Sequence, residues 1–472
     1  MKKILFLLSL LLGTASQTAG QPAEAADEEL PEVYRAVPKA FRYRVCLTDK
    51  KNSPYSKSHP EAFLSPKSIE RRRKFKLKVD EHDLPVTPVY LEQIAQKGFK
   101  IVHRSKWNNT VVVETSDSSA IHSLGSLPFV KSFRKVWESP DSLLVEKEID
   151  RHSLLKNTRD TLPDFYGSAK GQTDMLNLRP LHEKGWRGEG VTIAVIDGGF
   201  FNADVIDGLK NCRILGTRNF VRPDKNVYEE LEHGMNVLAC IAANTPYNLV
   251  GTASDASFYL LVSEDGESEQ LVEEDNWCAA VEYADSLGVD IITSSLGYYH
   301  FDDQEMNHNY WEQDGRTALN SCSASLAASR GILLLNSAGN SGNDRWKKIG
   351  FPADATDMLA VGAVDAKGRN TRFSSLGNTA DGRIKPDVMA QGGASRSFSA
   401  DGKVVSINGT SFSCPILCGA AACLLQACPD KTPVELIQAI RLSGNNAGHP
   451  DNIFGYGIPD MWKAYESLTR RK

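Results

Sequence analysis

Residues 41–47 alternate apolar and polar positions, the two-residue period of a half-buried strand. Over 88–97 the spacing lengthens to a helical one, with Tyr90, Ile94 and Ala95 on one side and Gly98 as the stop. Residues 100–105 and 110–114 return to the strand period on either side of Asn108-Asn109, a hairpin signal. A second helix is expected over 118–127 and a last strand over 129–136. The order β-α-β-β-α-β is the split βαβ, ferredoxin-like pattern of a small α+β domain. A basic stretch, residues 69–78, interrupts it as an insertion.

From Tyr166 the pattern changes to short buried strands alternating with helices. Strands are expected over 191–196, 258–262, 289–293 and 332–336, and helices over 233–243, 271–287 and 317–329. Such alternation predicts an α/β domain, a parallel sheet with helices on both faces, whose active residues gather at the carboxyl ends of the strands. Residues 138–165 are charged and aperiodic and read as a linker. Residues 21–40, rich in Ala, Glu and Pro, read as a loose leader.

The first 20 residues follow another logic. Lys2 and Lys3 precede an apolar run over 4–12, then small and polar residues, the form of a secretory signal peptide too short to span a bilayer. No later apolar run reaches the roughly 18 residues of a membrane helix, so a soluble protein outside the cytoplasm, secreted or periplasmic, is expected. With 41% hydrophobic and 24% charged residues, the 472-residue chain can build real cores, which excludes disorder and fibrous folds. A net charge of −5 offers no global attraction to nucleic acid or anionic lipid. Of nine cysteines, Cys414, Cys418, Cys423 and Cys428 crowd one segment and read as small buried side chains. No CxxC pair and no nearby His in the sequence supports zinc.

Four segments carry chemistry. Asp197 ends a buried strand in IDGG, His233 opens a helix in HGM, Ser411 opens an apolar helix in GTSFSCP, and Asn340 sits in SAGN after a strand. Each alone has an ordinary reading: a cap, a polar turn, an N-cap, a left-handed turn. Together they supply a hydroxyl nucleophile, a base, a carboxylate to orient the base, and an oxyanion donor. In the order Asp, His, Ser, with these surroundings, the chain resembles the subtilisin-like serine proteases, the subtilase family or peptidase family S8, over about 300 residues from Tyr166. The G-x-S-x-G elbow of a lipase-like hydrolase is absent. A decayed, non-catalytic binding module usually loses a reacting residue, and none is lost.

The resemblance implies a secreted serine endopeptidase made as a self-processing zymogen. Its domains would be a signal peptide (1–20), a prodomain (21–137, compact over about 40–137) acting as folding aid and inhibitor, a linker with the processing site (138–165) and a catalytic domain (166–472). Asp197, His233 and Ser411 would be catalytic and Asn340 the oxyanion donor. Ser295, Leu296 and Gly297 of SSLG, with Ala338 and Gly339, would bind a protein or peptide substrate. No metal or other cofactor is expected for the chemistry; structural calcium is left open. Departures from the family pattern, such as Met235, Phe412 and Ile416, remove no reacting group. The aromatic and acidic loop over 298–315 leaves three readings: a lid, a calcium loop, or a surface loop with its own apolar cluster. The acidic run over 263–270 aligns with the family's edge segment for substrate backbone; it either favours basic residues upstream of the cut or is simply solvated. An unperturbed His predicts activity falling below about pH 7.

Overall fold

The computed structural model describes residues 33–36, 38–140, 143–146, 151–155 and 161–470. The expected signal peptide lies outside the described residues. Two short strands, Val33–Ala36 and Leu143–Glu146, pair antiparallel with each other. They fall in stretches that the sequence pattern marks as leader and linker.

The N-terminal α+β unit contains strands β1 (Phe41–Leu47), β2 (Lys100–Ser105), β3 (Thr110–Thr115) and β4 (Val130–Glu138), in the antiparallel order β2-β3-β1-β4. Helix α1 (Pro66–Lys74) is the basic insertion, and α2 (Pro88–Gln96) is the expected first helix. The second expected helix is a 3-10 helix, Ser118–Ser126, capped by Asp117. Four serines and Gly125 in nine residues weaken its α propensity.

Seven parallel strands form the larger sheet: β5 (Thr192–Asp197), β6 (Arg213–Asn219), β7 (Ser257–Val262), β8 (Ile291–Ser294), β9 (Leu333–Ser337), β10 (Leu359–Val364) and β11 (Val388–Gln391). Their order is β11-β10-β9-β8-β5-β7-β6. Consecutive strands part to opposite sides of β5, and the crevice at its carboxyl end is where such sheets place their ligands. The strand pattern does not mark β6, β10 or β11. β6 is an edge strand, mostly exposed and broken by Gly216, so it lacks a continuous apolar run.

Alternation along β5 sorts its side chains into two cores. Ile193 and Val195 pack with helices α3 (His233–Ala242) and α6 (Thr410–Ala427). Ala194 and Ile196 pack with α4 (Val272–Leu287) and α5 (Leu319–Ala327). Helix α6 is long and apolar enough to cross a membrane, against the sequence expectation that no run is, but 89% of it is buried within the protein. It is the core helix of this sheet.

The four-stranded sheet lies against α4 and α5, since Trp107, Val112 and Val136 join their core. Its other face carries Val45, Val113 and Ile94 in a separate core. Around these apolar contacts runs a ring of buried charge. Arg44 grips Asp275 with three hydrogen bonds of 2.8, 3.0 and 2.7 Å and reaches Glu274 at 3.2 Å. From α1, Arg71 and Arg72 both bind Asp285, which Lys106 also contacts at 3.1 Å. In return, Arg330 reaches back to Asp80 and Asp83. Arg71, Arg72, Arg330, Asp83 and Asp285 are all 5% exposed or less, so each needs its partner.

Candidate active site

Asp197 is the last residue of β5, and His233 opens α3 opposite it. The carboxylate accepts a hydrogen bond from Gly198 N at 2.8 Å and pairs with His233 Nδ1 at 2.8 Å, both through Oδ1. Gly234 permits this approach: a Cβ there would lie 2.3 Å from Gly199 O and 2.8 Å from Asp197 Cβ. Asp197 is fully buried, while the His233 side chain is 37% exposed and faces the cleft. Burial opposes a charge on His233. The Asp197 charge and hydrogen bond, with the charges of Glu264 and Glu232, outweigh burial and lift its pKa to about 8.

Ser411 lies in the first turn of α6, after Gly409, whose φ of +153° suits a residue without a side chain. Pro415 has no N–H to return to the carbonyl of Ser411. That carbonyl instead accepts a hydrogen bond from Ser295 Oγ at 2.8 Å, and Ser411 Oγ donates to Ser295 O at 3.4 Å. Among the described residues no hydrogen bond joins Ser411 to His233, so the Asp–His pair is formed and the hydroxyl is parked on the wall beside it. The Phe412 ring lies 5.6 Å from the imidazole, centroid to centroid.

Asn340 is exposed in the cleft. Its Oδ1 accepts from both the N–H and the hydroxyl of Thr410, each at 2.9 Å. This fixes the amide and leaves its NH2 group as the donor. Thr410, fully buried, also takes the Gly339 N–H at 3.2 Å.

Asp197, His233, Ser411 and Asn340 thus meet in one cleft of about 270 Å³, which Ser295, Leu296, Gly297 and Gly339 also line. Ala338 does not line it. The residue is fully buried in the core behind α4, and its neighbours Ser337 and Gly339 reach the cleft instead. Sequence reasoning missed Thr410, Gly350 and Leu231, which line the cleft too, and Tyr299 reaches it from the loop over 298–315 that the sequence offered as a lid among other readings. Only Thr410 carried a signal, adjacent to the nucleophile. A cleft of about 330 Å³ opens at the other end of the sheet, between α1 and the strand starts, and holds none of these groups.

The loop over 298–315 is packed down. Tyr298 exchanges two 2.9 Å backbone hydrogen bonds with Phe351, and Phe301 is fully buried. Two of its carboxylates serve local turns: Asp303 caps Glu305 N, and Asp314 takes the N–H groups of Arg316 and Thr317; Asp302 accepts from Glu269 N across the cleft edge. No cluster of three or more His, Cys, Asp or Glu able to hold a metal occurs among the described residues. The cysteines are unpaired, and Cys414, Cys418 and Cys423 are fully buried. A histidine far away in sequence does approach them: His182 Nε2 lies 3.5 Å from Cys423 Sγ.

Comparison with known proteins agrees with this arrangement. Residues 188–457 match the subtilase family, peptidase S8, and residues 42–152 match the peptidase S8 propeptide domain of Bacteroidota. Subtilisin NAT of Bacillus subtilis subsp. natto and subtilisin E of Bacillus subtilis are each 28% identical over 368 residues, spanning 77% of this chain and 82% of theirs. The epidermin leader peptide processing serine protease of Staphylococcus aureus shares the fold, with a TM-score of 0.62 at 16% identity over 92% of this chain and all of that one. With a family match over more than half its length and a matching propeptide domain before it, the chain belongs to the subtilase family, peptidase family S8, and is a serine-type endopeptidase with an N-terminal propeptide domain.

Proposed function

We propose that the protein is a secreted, self-processing zymogen that cleaves peptide bonds through an acyl-enzyme on Ser411. The observation that carries this reading is the Asp197–His233 pair, at 2.8 Å, facing a cleft shared with Ser411 and the Asn340 amide. For reaction, the Ser411 hydroxyl turns from Ser295 O to His233 Nε2. His233 takes its proton as Oγ attacks the scissile carbonyl. Asp197 holds Nδ1–H and balances the imidazolium that forms. The Asn340 NH2 group and the Ser411 N–H, at the positive end of α6, receive the developing oxyanion. His233 then protonates the leaving amine, and water, deprotonated by the same ring, releases the acyl group. The triad accounts for every proton moved, so the chemistry draws on no metal; immediate loss of activity on adding a chelator, without unfolding, would overturn that part.

The N-terminal domain covers the catalytic unit as an inhibitor through the buried charge ring described above. Residues 151–155 already belong to the catalytic unit: Arg151 pairs with Asp204 at 2.7 Å, and Leu155 packs on its core. That supports a cut before Arg151, within the linker over 138–165 read from sequence. Export through residues 1–20 would place the mature enzyme outside the cytoplasm. The test is N-terminal sequencing of secreted wild type beside Ser411→Ala. Wild type should lose its propeptide, and Ser411→Ala, made alone, should keep it. A Ser411→Ala protein cut at the same bond would show that another protease does the processing.

A further inference from the structure

We propose that the cleft wall beyond β7 is a subsite for a cationic side chain, Lys or Arg, lying upstream of the scissile bond and met by the carboxylates of Glu264 and Glu269. The inference rests on the peptidase reading above and names the class of substrate it prefers.

The placement comes from strand register. Val262, the end of β7, pairs with Asp197, the end of β5, and Ser294, the end of β8, pairs with Ile196. The segments leaving β7 and β8 therefore flank the triad on two sides, and an extended substrate lies between them as an added strand. Glu264 and Glu269, on the first segment, both line the cleft with His233 and Ser411. Among the described residues neither carboxylate forms an ion pair. The nearby cation, Arg222, is committed to Glu230 and Glu267.

The groups behind them add to the same deficit. Glu273 is fully buried; its Oε1 accepts from Asp265 N at 2.9 Å, and its carboxyl group faces that of Glu269. The Tyr298 hydroxyl, on a side chain 1% exposed, faces Glu264 and Ser263. Asp302 is bound to the backbone of Glu269 from the far side, at 3.0 Å. Burial first, then repulsion from Asp197, lifts Glu264 to about 7; burial, then Glu264 and Asp302, lifts Glu269 to about 8; and burial with Glu269 and Glu264 holds Glu273 well above the carboxylate range. Apart from the His233 imidazole beside Glu264, no cation among the described residues pairs with these acidic groups, and groups so perturbed in a cleft mark a functional site. No group of three or more His, Cys, Asp or Glu among the described residues is placed to hold a metal ion, so a guanidinium or ammonium on a flexible stem fits these carboxylates better than a metal ion.

The experiment uses the processed enzyme and peptides built on a sequence it cleaves in a digest of a denatured protein. At each of the four positions upstream of the bond, arginine is exchanged for citrulline, which has nearly the same shape and no charge. Rates are read at pH 9, where His233 is neutral and both carboxylates are ionised. At one or two positions arginine should exceed citrulline in kcat/KM by about ten- to a hundredfold, the range of a hydrogen bond between charged groups. The ratio should shrink in Glu264→Gln and in Glu269→Gln and fall to within about twofold in the double variant. A wild-type ratio near one at every position, or a preference that survives in the double variant, overturns the subsite and leaves the peptidase reading standing. Failure to cleave any denatured protein would overturn both.

Discussion

With Asp197 on one side of its ring and Glu264 and Glu232 nearby, His233 keeps its proton up to about pH 8. On the proposed mechanism only the neutral ring accepts the Ser411 proton, so kcat/KM should fall about tenfold per pH unit below about 8, about one and a half units above the 6.5 of an unperturbed imidazole. A profile bending near pH 6.5 would mean that the surrounding carboxylates do not act on His233. The sign for stability is opposite. A raised His pKa stabilises the fold fully below about 6.5, and that contribution is lost as pH rises through about 8. Activity therefore grows as the Asp–His charge pair dissolves. At Asn340, replacement by Leu should cost on the order of 10²–10³ in kcat with little change in KM; the figure is taken over from subtilisin rather than derived from this geometry. Thr410→Val, which keeps the shape but frees one side of the Asn340 amide, should cost about tenfold in kcat, the worth of one hydrogen bond. Unchanged kcat would mean that the Thr410 N–H orients the amide alone. Asp197, His233, Ser411 and Asn340 were legible because each sits in a short segment of restricted chemistry. Thr410 holding Asn340 across 70 positions was not, because only the fold joins them. Ala338 was misplaced because its neighbours share the motif but point the other way.

At the scale of elements, period alone located β5, α3, α4 and both strands of the hairpin to within a residue or two. It failed where burial is one-sided or partial, at β6, and where serines loosen a helix, at 118–126. The insertion was legible as a basic interruption, but its use was not. Helix α1 exists to bring Arg71 and Arg72 to Asp285 on α4, a partner 213 or more positions away. Asp285 is pulled well below the usual carboxylate range: burial would raise it, and Lys106, Arg72 and Arg71 overwhelm burial. Asp285→Ala would leave the buried Arg71 without its carboxylate, Arg72 with Asp83 alone, and Lys106 without this partner. In a Ser411→Ala background, which keeps the zymogen whole, it should lower stability to denaturant by about 3–5 kcal/mol. In the processed enzyme, where the same position faces solvent, the change should stay within about 0.5 kcal/mol. Equal losses in both forms would show that Asp285 supports α4 rather than the propeptide.

For the whole molecule, the modest net charge conceals a division. Residues 41–140 carry 19 Lys and Arg against 10 Asp and Glu, and residues 151–472 carry 30 against 40. The ring of buried pairs is thus the contact zone of two oppositely charged bodies. Once the chain is cut, those bodies still attract across the solvent, so a departing propeptide is drawn back before it can diffuse away. Such attraction speeds encounter and is erased when the screening length shrinks to a few ångströms. The association rate of separately added propeptide should drop at least about tenfold between roughly 0.01 M and 1 M salt, while the hydrolysis of an uncharged peptide stays nearly level. For a propeptide that inhibits as proposed, activation would then depend on where the zymogen finds itself as well as on the cut: in dilute medium a severed propeptide would linger and keep the enzyme silent, and in brine it would leave.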